Sequence, residues 1–484
     1  MKFEIFYNRL PKVILEGDTV SGWQNYIDTI PMLKAGVEVL HKIEEIGGEN
    51  SQAYIVGGTI RDIITGDKEP DDIDIATSVP IDEIEKHFKT HDIGKNKDFG
   101  IIVITYKGYD FEIANYRKDG KYSDGRRPES VEIVLDFKTD AERRDFTINA
   151  MGVDKDGNII DYFDGKNDIK NKILRTVGDP NKRFGEDFLR MLRAVRFASR
   201  MDFDIDSETM SAIKNNAENI ENISKERVMK ELNKMADQEG PKFAKALEML
   251  DDAGLLKYIL PEVFKLKDMP HSPEHHPESP NVLGHVLSAL RSNPVKDKLI
   301  NLSILFHDIG KLETHHVGDD ELHHYFGHAK ASSDLIDKVA DRLKIDNKTK
   351  ETLKFSALNH MKIHNLLDMS NNKIIRMMED PNWDILVSVA KADSMSRGDL
   401  FNEKEWNDIE NKIAELRNRF DGIQSLKSIK KIVNGKLIMD LLNMKGGPEL
   451  GEIIKNTIDY VLNNNININK DFDKVIEFIK KQKR

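Results

Sequence analysis

The chain has 484 residues, 39% hydrophobic and 32% charged, so a single core is excluded, roughly three or four domains are expected, and the composition is not that of a disordered chain. It has no cysteine, which excludes disulfides, a thiol nucleophile and thiolate metal ligands, and fits a reducing compartment. A net charge of −11 argues against a uniformly basic nucleic-acid-binding protein, yet a local basic patch is compatible with it.

In chain order, residues 1–50 read as an extension with one helical stretch, MLKAGVEVLHKIEEIGG, ended by a Gly pair. Its start lacks the apolar core of a signal peptide. No apolar run approaches membrane-spanning length, and the expected location is the cytoplasm. Residues 51–155 alternate between short apolar strands (AYIV, IDIAT, GIIVITY, YDFEIANY, VEIVLDF) and turns or short helices. That pattern predicts an α+β head around a modest sheet. Beyond Gly165 helical periodicity dominates. The expected divisions are helical neck and body regions at 156–270, a second helical domain at 271–400 and a helical tail at 401–484. Pro270, Pro273, Pro277 and Pro280, interleaved with His271, His275 and His276, mark the linker or long loop between body and second domain.

The stretch AYIVGGTIRDIITGDKEPDDIDIAT, residues 53–77, carries the first chemical signal. AYIV reads as a buried strand and TIRDIITG as a short helix closed by Gly66. Gly57 and Gly58 then lie at a helix N-terminus, where glycine lets a backbone approach phosphate and free N–H groups favour an anion. Arg61, one turn in, is placed to face that anion. A Gly pair alone is more often just a turn. Asp72 and Asp74 add weight, because the alternation of DIDIA sends both carboxylates to one face and Ile73 and Ile75 to the core. Two such carboxylates repel unless a cation lies between them, and Mg2+ carried by a nucleoside triphosphate suits that position. An acidic turn before a strand is the other reading. Glu112, in YDFEIANYR, is the candidate third acid, with a plain exposed strand residue as the alternative.

From Arg143 to Arg200 the chain holds 13 Lys and Arg against 9 Asp and Glu, a net of +4 in an acidic protein. Within it, RFGEDFLRMLRAVRFASRM places Leu189, Leu192, Val195 and Ala198 on one helix face and Asp187, Arg190, Arg193 and Arg196 at intervals of three on another. A solvated charged face is the ordinary explanation. An Asp and an Arg one turn apart also offer the acceptor and donor fork needed to read the pairing edge of a base.

With these motifs in order, GGTIRD…DIDIAT, YSDGRRPESV, RRDFTINAM and EDFLRMLRAVRFA, the chain resembles class II tRNA nucleotidyltransferases (CCA-adding enzymes) and bacterial poly(A) polymerases, over roughly residues 50–260. The resemblance implies a polymerase β-like nucleotidyltransferase head followed by all-α neck, body and tail regions. It further implies that Asp72 and Asp74 bind the catalytic Mg2+. Gly58 and Arg61 would hold the triphosphate, and Gly57 and Asp62 belong to the same nucleotide-binding set. Arg144, Asp145 and Asn149 would recognise the ribose. Asp187 and Arg190 would pair with the base of CTP or ATP, and Arg193 and Arg196 would contact phosphates. RKDGKYSDGRRP resembles the loop needed for the switch from C to A addition. The implied partners are the tRNA 3′ end, CTP and ATP, with no membrane and no protein partner. In the implied reaction the RNA 3′-hydroxyl attacks the nucleotide α-phosphate.

A second constellation lies downstream. LFHDIGK places His307 and Asp308 side by side on an apolar helix; His285 (NVLGHVLSAL) precedes it and Asp393 (AKADSMSRG) follows. Half-buried His and Asp need partners, and a shared divalent metal supplies them. Any one of these histidines alone reads as structural; the set reads as a metal site. It resembles the HD phosphohydrolase superfamily, where His328 and His360 match ligands of a second metal, and it implies a divalent transition metal (Ni2+, Mn2+ or Fe2+) and phosphatase or cyclic phosphodiesterase activity that would repair 3′ ends. His315, His316, His323 and His324 are unranked, exposed loop histidines being the plain reading. GGPELGEII, in the tail, suits either a helix-capping turn or an RNA-phosphate contact. The competing functions are a poly(A) polymerase and an HD-type metal phosphohydrolase with an RNA-binding head.

Overall fold

A computed structural model describes residues 15–482 except 17–18, 21, 67–69, 71, 92–96, 98, 121–128, 272–278, 422–425 and 465. Most of the RKDGKYSDGRRP loop, Asp71, His275 and His276 therefore lie outside the described residues. The chain forms two compact units, one of residues 1–235 and 245–261, the other of 236–244 and 262–484.

The first unit is built on a seven-stranded sheet. Its strands are β1 (Ala53–Val56), β2 (Asp74–Thr77), β3 (Lys89–His91), β4 (Ile101–Tyr106), β5 (Tyr109–Asn115), β6 (Gly152–Val153) and β7 (Ile159–Ile160), ordered β7-β6-β1-β2-β5-β4-β3. Neighbours are antiparallel except β2 and β5, which run parallel with Asp74 opposite Glu112 and Ile75 opposite Ile113. Side chains alternate across a strand. Ile55, Ile75, Ile102, Ile104, Phe111 and Ile113 thus enter one core, and Val56 and Ala76 enter a second core with Tyr116 and Phe137.

Helix α1 (Pro31–Gly47) starts with proline at its first position and ends at Gly48. Its Leu33, Val39, Leu40 and Ile43 are fully buried in the first core, each contributing about 1.5–3 kcal/mol. The extension thus packs within the head rather than standing apart from it. Helix α2 (Gly58–Thr65) follows β1 directly and buries Ile60, Ile63 and Ile64 in the same core. VEIVLDF yields only a three-residue strand, Val131–Ile133, because Asp136 caps a helix over Phe137–Glu142 by accepting from Thr139 N.

The rest of this unit is mainly helical and includes α3 (Pro180–Glu186), α4 (Leu189–Met201) and α5 (Lys225–Ala236). Arg183–Met201 is therefore two helices, not one. Asp187 lies at the break in an extended conformation and accepts a hydrogen bond from Leu189 N at 3.0 Å, and such local bonds favour an interruption.

In the second unit, α6 (Val282–Arg291) is capped by Asn281, α7 (Lys298–Phe306) by Asp297 and α9 (Asn347–His364) by Asp346. With α8 (His328–Leu343) and α10 (Trp383–Met395) they form a helical bundle. Ile363, Trp383, Leu386 and Ala390 share one core with Trp406, Ile438, Val461 and Ile479, so described tail residues complete the core of this bundle. No helix among the described residues is long and apolar enough to cross a membrane.

Candidate functional site

In the head, the turn from β1 into α2 is made by Gly57, at φ +70 and ψ −127, a conformation that side chains with a Cβ resist. A Cβ added there would lie 3.5 Å from Arg144 Nη1 and 4.0 Å from Asp74 Oδ2, so glycine turn, acid and arginine meet at one point. Asp74 opens β2 and Asp72 lies two residues before it, while Ile73 and Ile75 are each 1% exposed. Glu112 lies across the parallel ladder on the same face as Asp74. The carboxylates feel one another. Burial, then Glu112 and Asp72, push the Asp74 carboxyl up to about 6, against the pull of Arg144. Burial and Asp72 raise Glu112 as well, with Arg117 opposing. A site that disfavours its own negative charge in this way fits a divalent cation.

A second layer of charge lies beside this group. Arg61 is buried, donating to Asp62 at 2.7 Å and to Asn149 Oδ1 at 2.6 Å; burial lowers its pKa to about 10. Arg200 also donates to Asp62, at 2.5 Å. Asn149 donates to Asp145 Oδ1 at 3.0 Å, and Arg193 grips Asp145 Oδ2 through Nε and Nη2 at 2.8 and 2.6 Å. Burial opposes ionisation of Asp145, but Arg193 and Asn149 outweigh it and hold the carboxyl well below the usual range. Arg144 donates to Asp140 at 3.0 Å and to the Asn149 carbonyl at 3.4 Å, joining the two layers.

Asp187 and Arg190 are each held by a partner. Arg227 donates to Asp187 Oδ2 at 2.7 Å. Arg190 donates to Glu186 at 2.6 Å and to the carbonyls of Arg183 and Arg143. Arg196 departs from the set. It is 7% exposed, donates to Glu231 of α5 at 2.6 Å and stacks 4.0 Å from the Phe197 ring. The reason is angular: residues three apart drift about 60° per step around an α-helix, so a period of three cannot keep Arg190, Arg193 and Arg196 on one face.

In the second unit His307 and Asp308 follow the last residue of α7, in the turn after the helix rather than on it. His285 is on α6, His328 on α8, His360 on α9 and Asp393 on α10. His285, His307, Asp308 and His360 are 1–2% exposed, deeper than half-buried. Three sets of potential ligand atoms converge, each within 4.8 Å: His285, His307, Asp308; His307, His360, Asp393; and Asp308, His328, His360. Asp308 Oδ2 lies 3.3 Å from His307 Nε2, and Oδ1 lies 3.4 Å from His328 Nε2, so the two carboxylate oxygens face different histidines. The Nδ1 atoms of His307, His328 and His360 lie 2.7, 2.9 and 2.8 Å from backbone carbonyls, and His285 Nδ1 lies 2.9 Å from Ser396 Oγ. Such anchors aim Nε2 inward and support ligation.

Gly310 makes the convergence sterically possible, since a Cβ there would come 2.2 Å from Ser332 N and 2.3 Å from the His328 carbonyl. Burial disfavours charge throughout. It holds His360 down near 3, helped by His307, whereas Asp308 and Asp393 overcome it at His307 and raise that ring to about 10. Buried, mutually dependent His and Asp donors of this kind suit divalent transition metals.

Four participants escaped the sequence reading. Lys311 lies 2.6 Å from Asp308 Oδ2 and His364 lies 2.8 Å from Asp393 Oδ2; His364 was legible as one turn beyond His360. Arg227 and Glu231, one turn apart on α5, carried no signal pointing 35–40 residues back. His316–Val317 and His323–His324 pair as a short antiparallel hairpin, and its three histidines, with His315 just before it, are outside the three converging sets.

These sites stand on a recognisable scaffold, a nucleotidyltransferase head continued by a helical body. Residues 53–175 match the family described as "Poly A polymerase head domain" and 202–266 that described as "Probable RNA and SrmB-binding site of polymerase A". Among curated proteins, the chain is similar to the CCA-adding enzyme of Geobacillus sp. (strain WCH70), 42% identical over 218 residues, covering 45% of this chain and 53% of the relative. It is 46% identical over 203 residues to that of Limosilactobacillus reuteri (strain DSM 20016), covering 42% and 49%. The chain thus spans about half the length of the curated relatives it matches. The fold resembles the Bacillus stearothermophilus CCA-adding enzyme in complex with CTP, with a TM-score of 0.68 at 24% identity over 93% of this chain and 98% of the other. It also resembles the Thermotoga maritima CCA-adding enzyme complexed with tRNA, with a TM-score of 0.58 at 18% identity over 95% and 98%. The chain has the fold of the CCA-adding enzymes.

Proposed function

We propose that the protein is a template-independent tRNA nucleotidyltransferase that adds CCA to tRNA 3′ ends from CTP and ATP, in the cytoplasm. The observation that carries this reading is the meeting of Asp74, its ladder partner Glu112, Gly57 and Arg144 at one end of the head sheet, with Arg190 donating to the carbonyl of the neighbouring Arg143. The relatives' names and the CTP, ATP and tRNA in related structures support it. Asp72, Asp74 and Glu112 would hold Mg2+, which when bound lowers the pKa of the RNA 3′-hydroxyl and stabilises the departing pyrophosphate. The chain's own groups do the rest. Gly57, Gly58 and Arg144 receive the triphosphate; Asp145 and Asn149 stand for the ribose; Asp187 and Arg190, fixed by Arg227 and Glu186, present an acceptor and a donor to the base. Arg61 and Arg193 hold this arrangement through Asp62, Asn149 and Asp145.

The test is incubation with tRNA lacking its 3′ end and single labelled nucleotides. Addition limited to C, C and A is expected; ATP-only growth of long tails would make the protein a poly(A) polymerase. Replacing Asp72 and Asp74 together with Ala should abolish incorporation, and survival of incorporation would move the chemistry elsewhere.

A second reading belongs to the other unit. His285, His307, Asp308 and Asp393, with His328 and His360, would hold divalent transition metals, which when bound activate water for hydrolysis of phosphoesters, consistent with repair of RNA 3′ ends. The observation favouring it is the Asp308 carboxylate, whose two oxygens face different histidines and would be shared between two ions.

A further inference from the structure

One aromatic ring closes the hydrogen-bonded chain that runs from Arg61 through Asn149 and Asp145 to Arg193. Phe197 lies one turn beyond Arg193 on α4. Its ring centroid is 4.6 Å from the guanidinium carbon of Arg61 and 5.3 Å from that of Arg193, so it touches both ends of the chain. Arg196 and Arg200 approach the same ring, at 4.0 and 5.8 Å. The ring is 4% exposed and meets the buried ring of Phe146, the neighbour of Asp145, edge-on at 5.9 Å. The four guanidiniums pair with three carboxylates, those of Asp62, Asp145 and Glu231, which leaves the group with one positive charge in excess. An aromatic face attracts such cations as well as spacing them; an aliphatic side chain only spaces them.

The chain fixes the amide of Asn149. Oδ1 accepts from Arg61 and Nδ2 donates to Asp145, and a flipped amide would set donor against donor and acceptor against acceptor. A side-chain amide has two N–H groups and two lone pairs, so one of each is left over. Asp145 has less to give. Its oxygens already accept from Asn149, from Phe146 N at 2.9 Å and twice from Arg193. A donor and an acceptor side by side match a hydroxyl, and the 2′-hydroxyl is the group that separates a ribonucleotide from a deoxyribonucleotide.

We propose that Phe197 is a positioning residue for sugar selection, its ring holding Arg61 and Arg193 and, through them, the Asn149 amide that meets the 2′-hydroxyl. The proposal rests on the nucleotidyltransferase reading of the head.

The test measures kcat/KM for single additions of CTP and of dCTP by the full-length protein, on tRNA lacking its 3′ end. Wild type should favour CTP. Phe197→Leu keeps an apolar group but removes the ring, and should lower the CTP-to-dCTP ratio at least about 5-fold, equivalent to about 1 kcal/mol. The loss should fall on CTP and leave dCTP unchanged. Phe197→Tyr keeps the ring and should hold the ratio within about 2-fold of wild type. Pentafluorophenylalanine at position 197 keeps the ring's shape and inverts its quadrupole, so it should lower the ratio as Leu does with the thermal transition preserved; it decides the matter if the Leu variant does not fold. An unchanged ratio in the pentafluoro protein, a proportional fall for both nucleotides, or a wild type indifferent to the sugar would overturn the role of Phe197 while leaving the nucleotidyltransferase intact. Absence of any incorporation by wild type would overturn both.

Discussion

The buried pair of Arg196 and Glu231 offers a sharp test of how the body of the first unit supports the head. The two side chains are 7% and 3% exposed and meet at 2.6 Å, and the guanidinium also lies 4.0 Å from the Phe197 ring. Burial opposes both charges, lowering the Arg196 pKa, while Arg196 outweighs burial at Glu231 and holds its carboxyl below the usual range. Removing one partner strands the other charge away from water, which costs about 3–5 kcal/mol. For a unit of this size that corresponds to a fall of roughly 10 °C in its unfolding transition. Replacing both with apolar groups of similar volume, Arg196→Met with Glu231→Leu, removes the penalty and should return the transition to within a few degrees of wild type. Differential scanning calorimetry of the four proteins closes the cycle, and CTP incorporation is measured in parallel. The reasoning predicts that the double variant recovers both stability and most of its incorporation. A double variant as unstable as either single one would show that the pair does not join α4 to α5. A stable but inactive double variant would place Arg196 at the nucleotide, as the sequence motif implies.

Three further outcomes follow from the geometry. Asp74 titrates near 6 in the folded, metal-free protein, above its unfolded value, so its folded-state contribution is full below about pH 4 and lost as pH rises through 6; Asp74→Asn should therefore raise the metal-free melting temperature at pH 7.5 by an amount equivalent to about 1–2 kcal/mol, and lowering the pH to 4 should erase the difference. Gly57→Ala forces a Cβ into a conformation held at φ +70, costing about 1–3 kcal/mol, and should cut incorporation more than tenfold; unchanged incorporation would separate that turn from the triphosphate. Metal analysis of protein loaded with Mn2+ should find two ions in the second unit of wild type, about one in His328→Ala and none in Asp308→Ala, and equal stoichiometry in all three would refute the shared carboxylate.

What the sequence disclosed and what it hid divide along physical lines. Strand alternation placed Ile73 and Ile75 in the core and Asp74 on the opposite face, because a half-buried strand must alternate. Glu112 became a firm neighbour of Asp74 only through the ladder, since register between strands 35 residues apart leaves no local trace. Spacing of three put Arg196 with its neighbours on paper, whereas helical geometry turns it toward Glu231. The HD pair was visible as charge inside an apolar run, but the run ends at Phe306, and the shift into a turn is what lets Asp308 offer an oxygen to each side. The first fifty residues resembled nothing useful, yet α1 fills the same core as the sheet by the ordinary logic of an amphipathic helix.

The parallel pairing of β2 with β5 has one more consequence. Ile75 opposite Ile113 and Asp74 opposite Glu112 are successive rungs of a single ladder. A slip by one residue would send isoleucines to the face that carries the acids and carboxylates into the first core together. Misfolded molecules would therefore fail wholesale instead of surviving as sluggish catalysts, and selection acting on solubility alone would also guard the alignment of the acids.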